Sequence, residues 1–303
     1  MSQDWFKNGI IYEIFPDSFR LSGMDANGKV EAGLLAEGSV ALEWGAEISA
    51  GHIGREFFGG DIRGIIEGLD WIQELGADIV YLTPVWRAKS NHRYGAIDYR
   101  EVDPALGTLE DFTDLVRAVH RRGMRIILDM VFNHCSDSHP WFQEALRDEN
   151  SEYRQYFKFH SDGSYQCWRN VGSVPEWNLR HPVVREELFE GRESVLAYWM
   201  DTGIDGVRLD CANDLGTEVT SRITEIVRST NSEAVVIGEV FPFPGAYRDT
   251  ADAIQNYYFT ASILSLINGQ IQSRQFGSNM RELNDSLDED TDTILMLSSH
   301  DTP

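Results

Sequence analysis

The feature that most constrains the fold is a strand–helix–strand pattern in the second half of the chain. Two short apolar runs, residues 203–209 and 234–237, end just before Asp210 and Glu239. Between them, residues 217–229 carry apolar side chains at helical spacing. A helix that connects two strands in this way makes the strands parallel and neighbouring. We therefore expect Asp210 and Glu239 to lie side by side at the carboxyl ends of adjacent strands.

The same alternation of strand and helix extends through most of the chain. Further strands are predicted at residues 9–15, 79–82, 125–131, 252–258 and 293–297, and further helices at residues 62–75, 109–122, 182–200 and 261–267. This order predicts an α/β fold with a mainly parallel sheet and helices outside it. Polar residues follow most of the strands, and the glycine fingerprint of a dinucleotide-binding fold is absent after the first strand. A (β/α)8 TIM barrel therefore fits better than an open sheet.

Two segments interrupt the alternation. Residues 135–179 show little periodicity and predict a small inserted domain after strand 3, which leaves residues 1–134 and 180–303 for the barrel. Residues 20–58 are glycine-rich and predict a long loop. The chain stops at Pro303, just past the seventh predicted strand, so we expect a barrel that is incomplete at its C-terminus and ends before strand 8.

Composition excludes several classes of protein. The chain has 303 residues, and 42% hydrophobic residues with 11% aromatic residues allow a packed core, which excludes a disordered chain. A net charge of −23 argues against nucleic acid and anionic membrane as partners, because both would repel it. A neutral ligand such as a sugar is indifferent to this charge, although an acidic surface is also explained by solubility alone.

The sequence favours a cytoplasmic location. Cys135, Cys167 and Cys211 have neither paired nor metal-type spacing and indicate reduced thiols. The first residues lack a basic start and an apolar core, so no signal peptide is expected. No run of 18 apolar residues occurs that could span a membrane.

The predicted pair of strand-end acids has a chemical interpretation. Two carboxylates held a few ångströms apart suit glycosidic-bond cleavage, in which one protonates the leaving oxygen and the other attacks the sugar. The alternative is that Asp210 and Glu239 are two solvated acids, since loops after strands are often acidic. The pair alone leaves both interpretations open.

Four separated motifs make the interpretation specific. They are residues 129–134 (Asp-Met-Val-Phe-Asn-His), 206–214 (Gly-Val-Arg-Leu-Asp-Cys-Ala-Asn-Asp), 238–239 (Gly-Glu) and 299–302 (Ser-His-Asp-Thr). With these motifs in this order, the chain resembles the catalytic part of the α-amylase family of glycoside hydrolases, in its neopullulanase and cyclomaltodextrinase branch. The segments 58–62 and 174–179 are also similar to that branch, and the resemblance runs from about residue 7 to the final residue.

The resemblance implies roles for three acids. Asp210 matches the nucleophile, Glu239 matches the general acid and base, and Asp301 matches the third acid that grips substrate hydroxyls. The implied reaction is a retaining double displacement on α-glucosidic bonds, mainly α-1,4, in maltooligosaccharides, cyclodextrins or starch-like glucans, with transfer to a second sugar as a further outcome. The implied partner is thus an α-glucan substrate, and the sequence leaves the oligomeric state open.

Four further residues are expected to bind substrate. Arg208 stands two residues before Asp210 on the same face of a strand, where its charge would offset the acids. His134 and His300 resemble the two histidines that bond sugar hydroxyls, although a strand-end histidine taken alone would be structural. Tyr94 matches an aromatic platform under the sugar, whereas an isolated tyrosine would more often belong to the core.

Tryptophans in the 135–179 segment allow two interpretations. Trp141, Trp168 and Trp177 would either line additional sugar subsites or fill the core of the small inserted domain. Phe241 stands where the branch usually has tryptophan, a difference that would affect the leaving-group side of the site.

The resemblance raises the question of calcium. Asn133 matches a calcium ligand in many α-amylases, but Asp214 stands where such enzymes often have histidine. Gly59 and Asp61 resemble part of a second calcium site, but residues 21–23 replace its asparagine-rich loop. We expect that no cofactor is required, with calcium binding left open.

Two rival functions remain at this stage. A non-catalytic, amylase-like carbohydrate-binding or scaffold protein would generally have lost catalytic acids, and here Asp210, Glu239 and Asp301 are all present. A metal-dependent barrel enzyme could use the acid cluster as oxygen ligands, but a cation at Arg208 would compete with a metal there.

Overall fold

The structure is a computed structural model that describes residues 5–22, 32–48, 54–287 and 291–301. The chain divides into two compact units. The N-terminal unit is Gly9–Ile204, and the C-terminal unit combines Met1–Asn8 with Asp205–Pro303. The indole of Trp5 donates a hydrogen bond to the carbonyl of Glu233 at 3.0 Å, which ties the start of the chain to the C-terminal unit.

The N-terminal unit contains a parallel sheet of the predicted strands. The strands of this unit, in the part of the chain that the structure describes, are β1 (Ile11–Ile14), β2 (Val40–Ala41), β3 (Glu56–Phe57), β4 (Ile79–Leu82), β5 (Trp86–Ala88), β6 (Ala96–Val102) and β7 (Arg125–Met130). β4 pairs in parallel with β1 on one side and with β7 on the other, so that Ile79 lies opposite both Ile11 and Arg125. This core sheet confirms the strands predicted from the apolar runs.

The two longest of the five described α-helices of this unit are amphipathic and capped. The five helices are α1 (Ile62–Glu74), α2 (Leu109–Arg121), α3 (Pro140–Arg147), α4 (Pro182–Arg185) and α5 (Val195–Met200). Asp61 caps α1 by accepting the N–H of Gly64 at 2.6 Å, and Thr108 with Asp111 forms a complete capping box at α2. The apolar positions of α1 are buried, including Ile65 and Leu69.

The C-terminal unit contains the strand–helix–strand pattern predicted for residues 203–237. Its described strands are β8 (Gly206–Leu209), β9 (Val235–Val240), β10 (Ala253–Asn256) and β11 (Asp292–Ile294), and its described helices are α6 (Ala212–Leu215), α7 (Thr217–Thr230), α8 (Tyr257–Ile267) and α9 (Ser273–Ser286). The strands are parallel in the order β8-β9-β10-β11. α7 buries Val219, Ile223 and Val227, as its helical spacing predicts. Leu209 lies opposite Gly238, so the predicted adjacency of the two strand ends is confirmed.

Several predicted elements have different boundaries in the structure. The strand predicted at residues 293–297 is β11 (Asp292–Ile294), and the helix predicted at residues 261–267 begins at Tyr257. The strand predicted at residues 252–258 ends at Asn256, because the Asn256 side chain accepts the N–H of Phe259 at 2.9 Å and so begins α8. The helix predicted at residues 182–200 is broken into α4, a π-helical turn (Glu186–Glu190) and α5. The break falls at Gly191, where a Cβ would lie 2.5 Å from the carbonyl oxygen of Glu186.

Some elements were not predicted. β5 and β6 form an antiparallel pair, and α3 lies inside the 135–179 segment that shows no clear periodicity. This segment belongs to the same compact unit as the strands before it. The predicted long loop at residues 20–58 contains the short parallel pair β2–β3, while residues 23–31 and 49–53 lie outside the described residues.

The tryptophans of the 135–179 segment are packed differently from one another. Trp177 is 1% exposed and its ring stacks on Phe157 at a centroid distance of 4.5 Å. Trp141 is half-buried and stacks on Tyr153 at 5.5 Å. The core interpretation therefore holds for Trp177.

Nowhere in the described ranges does the chain form a helix with both the length and the apolar character needed to cross a bilayer.

Close packing of β8 on β9 makes Gly206 sensitive to substitution. A Cβ at this position would lie 2.4 Å from the carbonyl oxygen of Val235, and that backbone atom is held in the sheet. We expect Gly206→Ala to lower the free energy of unfolding by about 1–3 kcal/mol, measured by urea denaturation.

Gly277→Ala in α9 is the matched control. A Cβ at that position would meet no atom closer than 3.7 Å. We expect this helical substitution to leave stability unchanged or to raise it by up to about 1 kcal/mol. Equal stability of the Gly206→Ala variant and the wild type would contradict the assigned strand contact.

Candidate active site

The predicted acids lie at the carboxyl ends of the strands of the C-terminal unit. Asp210 directly follows β8, and Glu239 is the fifth residue of the adjacent strand β9. Both side chains are buried, with 8% of the Asp210 side chain and 2% of the Glu239 side chain exposed. Asp301 follows β11 and is more open, with 36% of its side chain exposed.

Arg208 lies between two of the acids. Its Nη1 donates a hydrogen bond to Asp210 Oδ1 at 2.9 Å, and its Nη2 forms an ion pair with Glu239 Oε1 at 2.6 Å. Its Nε donates to Gln255 Oε1 at 3.3 Å. The guanidinium is 1% exposed, so its charge acts on both carboxylates with little screening by water. The predicted charge compensation by Arg208 is thus present in the geometry.

Glu239 has further contacts that fix both of its carboxyl oxygens. Oε2 accepts the backbone N–H of Cys211 at 2.7 Å, and Oε1 lies 3.2 Å from the hydroxyl of Tyr257. Cys211 has the left-handed conformation φ 49°, ψ 42°, which is uncommon for a residue with a side chain. Backbone strain of this kind is often retained at functional sites. Here it accompanies an N–H group that is directed at a carboxylate.

Asp301 and His300 complete the cluster. Asp301 Oδ2 lies 3.2 Å from the Tyr257 hydroxyl and 3.2 Å from His300 Nε2. The C-terminal unit therefore brings together five of the seven predicted site residues: Arg208, Asp210, Glu239, His300 and Asp301.

The other two predicted residues, Tyr94 and His134, belong to the N-terminal unit. The Tyr94 hydroxyl donates to Asp129 Oδ2 at 2.8 Å, and its ring stacks on His92 with centroids 5.8 Å apart. Asp129 accepts a second hydroxyl, that of Tyr81, at 2.7 Å. These contacts fix the orientation of the half-buried Tyr94 ring.

His134 is buried and neutral. Its side chain lies against the ring of Trp168, with centroids 5.7 Å apart. Burial, with a smaller contribution from nearby His92, lowers the pKa of His134 to about 3. At neutral pH one ring nitrogen is therefore a donor and the other an acceptor, and Nδ1 faces the Asn133 amide.

Sequence reasoning missed three contributors to the cluster: Tyr257, Gln255 and the backbone N–H of Cys211. Tyr257 is 7% exposed and its ring stacks on Phe241 with centroids 4.2 Å apart. A signal was present for Gln255, because an amide side chain within an otherwise buried strand needs polar partners. No sequence signal exists for the Cys211 N–H, since every residue other than proline has one.

The residues that resemble calcium ligands are hydrogen-bonded within the protein. Asp61 Oδ1 accepts the N–H of Gly64, and Oδ2 accepts the hydroxyl of Ser22 at 2.7 Å. The Asn133 amide lies 3.4 Å from Nδ1 of His134. Asp61 thus acts as a helix cap and as an anchor for the Ser22 loop.

Comparison with known proteins identifies the chain as part of a glycoside hydrolase of the amylolytic class and shows its family. The family described as "Alpha amylase, catalytic domain" matches residues 13–303, and the chain belongs to this family. The family resemblance drawn from the four motifs is thereby confirmed.

Individual relatives place the chain in the predicted branch. It is 36% identical to a cyclomaltodextrinase from Bacillus sp in an alignment of 279 positions that covers 88% of this chain and 47% of that protein. It is 32% identical to neopullulanase 2 from Thermoactinomyces vulgaris in an alignment of 313 positions that covers 99% of this chain and 51% of that protein. The chain therefore spans about half the length of these curated relatives.

A solved structure shares the fold. The cyclic α-maltosyl-(1→6)-maltose hydrolase from Arthrobacter globiformis superposes with a TM-score of 0.85 at 31% sequence identity. The match covers 98% of this chain and 67% of that protein. This similarity supports the same arrangement of strands and helices in the two chains.

The buried state of His134 has a measurable consequence. Its pKa of about 3 in the folded chain is below the value of about 6.5 expected when the chain unfolds. The unfolded chain therefore binds more protons between these values, and the free energy of unfolding falls as the pH drops from about 6.5 towards 3. We expect His134→Gln to make this decline shallower between pH 7 and pH 5.

His160→Gln is the control, because His160 is exposed. We expect that variant to keep the wild-type pH dependence of unfolding by urea. An imidazole ¹⁵N shift showing that His134 is protonated at pH 6 in the folded protein would contradict the assigned burial.

Proposed function

We propose that the chain is the catalytic part of a retaining glycoside hydrolase that cleaves α-glucosidic bonds, mainly α-1,4. The proposed substrates are maltooligosaccharides, cyclodextrins or starch-like glucans. One observation carries the proposal: Arg208 on β8 contacts both Asp210, which follows β8, and Glu239 on the neighbouring strand β9. Membership of the α-amylase family supports it, as do the names of the relatives.

The first half of the proposed reaction uses both buried acids. Asp210 attacks the anomeric carbon and forms a covalent glycosyl-enzyme, while Glu239 gives its proton to the departing glycosidic oxygen. Arg208 keeps Asp210 in the charged form that a nucleophile needs, because a neighbouring cation favours the carboxylate.

The second half reverses these roles. Glu239, now a carboxylate, takes a proton from a water molecule whose oxygen attacks the anomeric carbon and releases Asp210. When a sugar hydroxyl replaces water, the product is a new glycosidic bond. Two displacements at one carbon give retention of configuration.

The remaining residues bind the sugar in this proposal. Asp301 and His300 lie at the more exposed side of the cluster, where they would accept and donate hydrogen bonds to substrate hydroxyls. We assign Tyr94 to stacking against an apolar sugar face and His134 to a sugar hydroxyl, as the family resemblance implies.

The proposed architecture is a (β/α)8 barrel with residues 135–179 as an inserted domain after its third strand. A cytoplasmic location is proposed because Cys135, Cys167 and Cys211 are free thiols, two of them buried. An α-glucan is the proposed partner, and nucleic acid and membrane are not.

The nucleophile assignment predicts that Asp210→Asn abolishes turnover. An amide cannot attack the anomeric carbon, so the rate of glucose or maltose release from maltotriose and cyclodextrin should fall on the order of 10³-fold or more. The measurement is reducing-sugar release with matched protein concentrations. In the wild type, ¹H NMR of the first product should show the α-anomer.

Asp214→Asn is the matched control, since Asp214 is exposed and four residues away. We expect it to retain the wild-type rate. Substantial turnover by the Asp210→Asn variant, a β-anomer as first product, or glucan binding by the wild type without any cleavage would each contradict the proposal.

We also propose that no calcium ion is required. Protein hydrogen bonds already satisfy the Asp61 carboxylate, so EDTA should leave the melting temperature and the rate of maltotriose cleavage unchanged. Ser22→Ala should instead destabilise the chain by about 1 kcal/mol, because Asp61 loses a partly buried hydrogen-bond donor. A melting temperature that falls in EDTA and recovers with added calcium would overturn this assignment.

A further inference from the structure

The hydroxyl of Tyr257 lies between two acids of the cluster. It is 3.2 Å from Glu239 Oε1 and 3.2 Å from Asp301 Oδ2. Its ring is held at the start of α8 by stacking on Phe241, with an angle of 19° between the ring planes. The oxygen is therefore fixed in position, while its hydrogen can turn towards either carboxylate.

The charges around Tyr257 keep it protonated. Burial and the neighbouring Glu239 raise the pKa of the phenol; Asp301 adds to this rise, while Arg208 and a hydrogen bond from Ser299 oppose it. Two further charged or titratable groups in the cluster are Asp210, which contacts Arg208, and His300, which contacts Asp301. A phenol that stays protonated has one hydrogen and so donates to one carboxylate at a time.

The contacts of Glu239 show where its proton can reside. Oε2 receives the N–H of Cys211, and Oε1 faces Nη2 of Arg208, and both of these groups are donors without a free lone pair. A proton on Oε2 would face the N–H group directly. The Tyr257 hydroxyl differs from these two partners, because its oxygen can accept a hydrogen bond from a protonated Oε1.

From this geometry we propose that Tyr257 is a positioning residue that holds the reactive proton on Glu239. Its hydroxyl accepts a hydrogen bond from the protonated Glu239 and donates its own hydrogen to the Asp301 carboxylate. This role rests on the proposed function of Glu239 as acid and base, and it adds Tyr257 to the proton-handling part of the site.

The hydrogen of Tyr257 turns during the reaction but does not leave the oxygen. When Glu239 has given its proton to the leaving group, the new carboxylate can accept the Tyr257 hydrogen instead. When Glu239 takes a proton from water, the Tyr257 hydrogen returns to Asp301. Tyr257 therefore neither gains nor loses a proton over a catalytic cycle. Its rotating hydroxyl couples the carboxylates of Glu239 and Asp301.

The variant Tyr257→Phe tests the role because it keeps the ring and its stacking on Phe241. Loss of the acceptor destabilises the protonated form of Glu239, so the alkaline limb of the pH dependence of kcat/KM should move to lower pH by about half to one unit. The acidic limb should not move. The rate loss should be greater on maltotriose than on 4-nitrophenyl α-maltoside, whose leaving group needs little protonation.

Tyr258→Phe is the control, since that ring packs edge-on against Phe243 with centroids 5.1 Å apart. We expect it to leave both limbs of the pH profile in place. A purely structural role for Tyr257 would change the rate at every pH and on both substrates by the same factor, and that result would overturn the proposal.

A second measurement does not depend on turnover. In protein labelled with ¹³C at the glutamate carboxyl groups, the Glu239 signal is identified by its loss in Glu239→Gln. Its titration midpoint should be lower in Tyr257→Phe than in the wild type by the same half to one unit. An equal or higher midpoint would overturn the role of Tyr257, whereas a wild-type protein that cleaves no glucan would overturn the proposed function alone.

Discussion

The site in the C-terminal unit depends on one buried cation. Arg208 is almost completely removed from solvent and contacts Asp210 and Glu239 at the same time. Removing an arginine and two carboxylates from water is costly, and only close contacts and additional hydrogen bonds offset that cost. Gln255 and the N–H of Cys211 supply such bonds. A cluster of this kind adds little to stability by itself, and it therefore points to function.

The register of two strands places this cation. Leu209 lies opposite Gly238, so the residues that follow them face each other at the sheet edge. A shift of one residue would turn every side chain of β9 to the other face and separate Glu239 from Arg208. In this register Gly206 approaches the carbonyl of Val235 so closely that position 206 has no space for a side chain. Close backbone packing at the start of β8 thus supports the chemistry proposed at its end.

The cluster also has a gradient of exposure. Asp210 and Glu239 are enclosed, while Asp301 is open to solvent, and Tyr257 lies between Glu239 and Asp301. Enclosure strengthens electrostatic effects on the two acids that would make and break bonds. Exposure suits the acid that would meet sugar hydroxyls. The stacked pair Phe241 and Tyr257 forms a rigid aromatic support between these two environments.

The sequence by itself determined the parallel β8–α7–β9 unit and the positions of Arg208, Asp210 and Glu239, because apolar periodicity and strand alternation are local properties of the chain. It also indicated the family, since four motifs occur in the expected order. Only the tertiary structure decided the hydrogen-bond partners: Tyr257, predicted within a strand, begins a helix and reaches two carboxylates, and Cys211 directs its N–H at Glu239. Such contacts join residues 18 to 44 positions apart, and backbone groups carry no sequence signal, so no local pattern could reveal them.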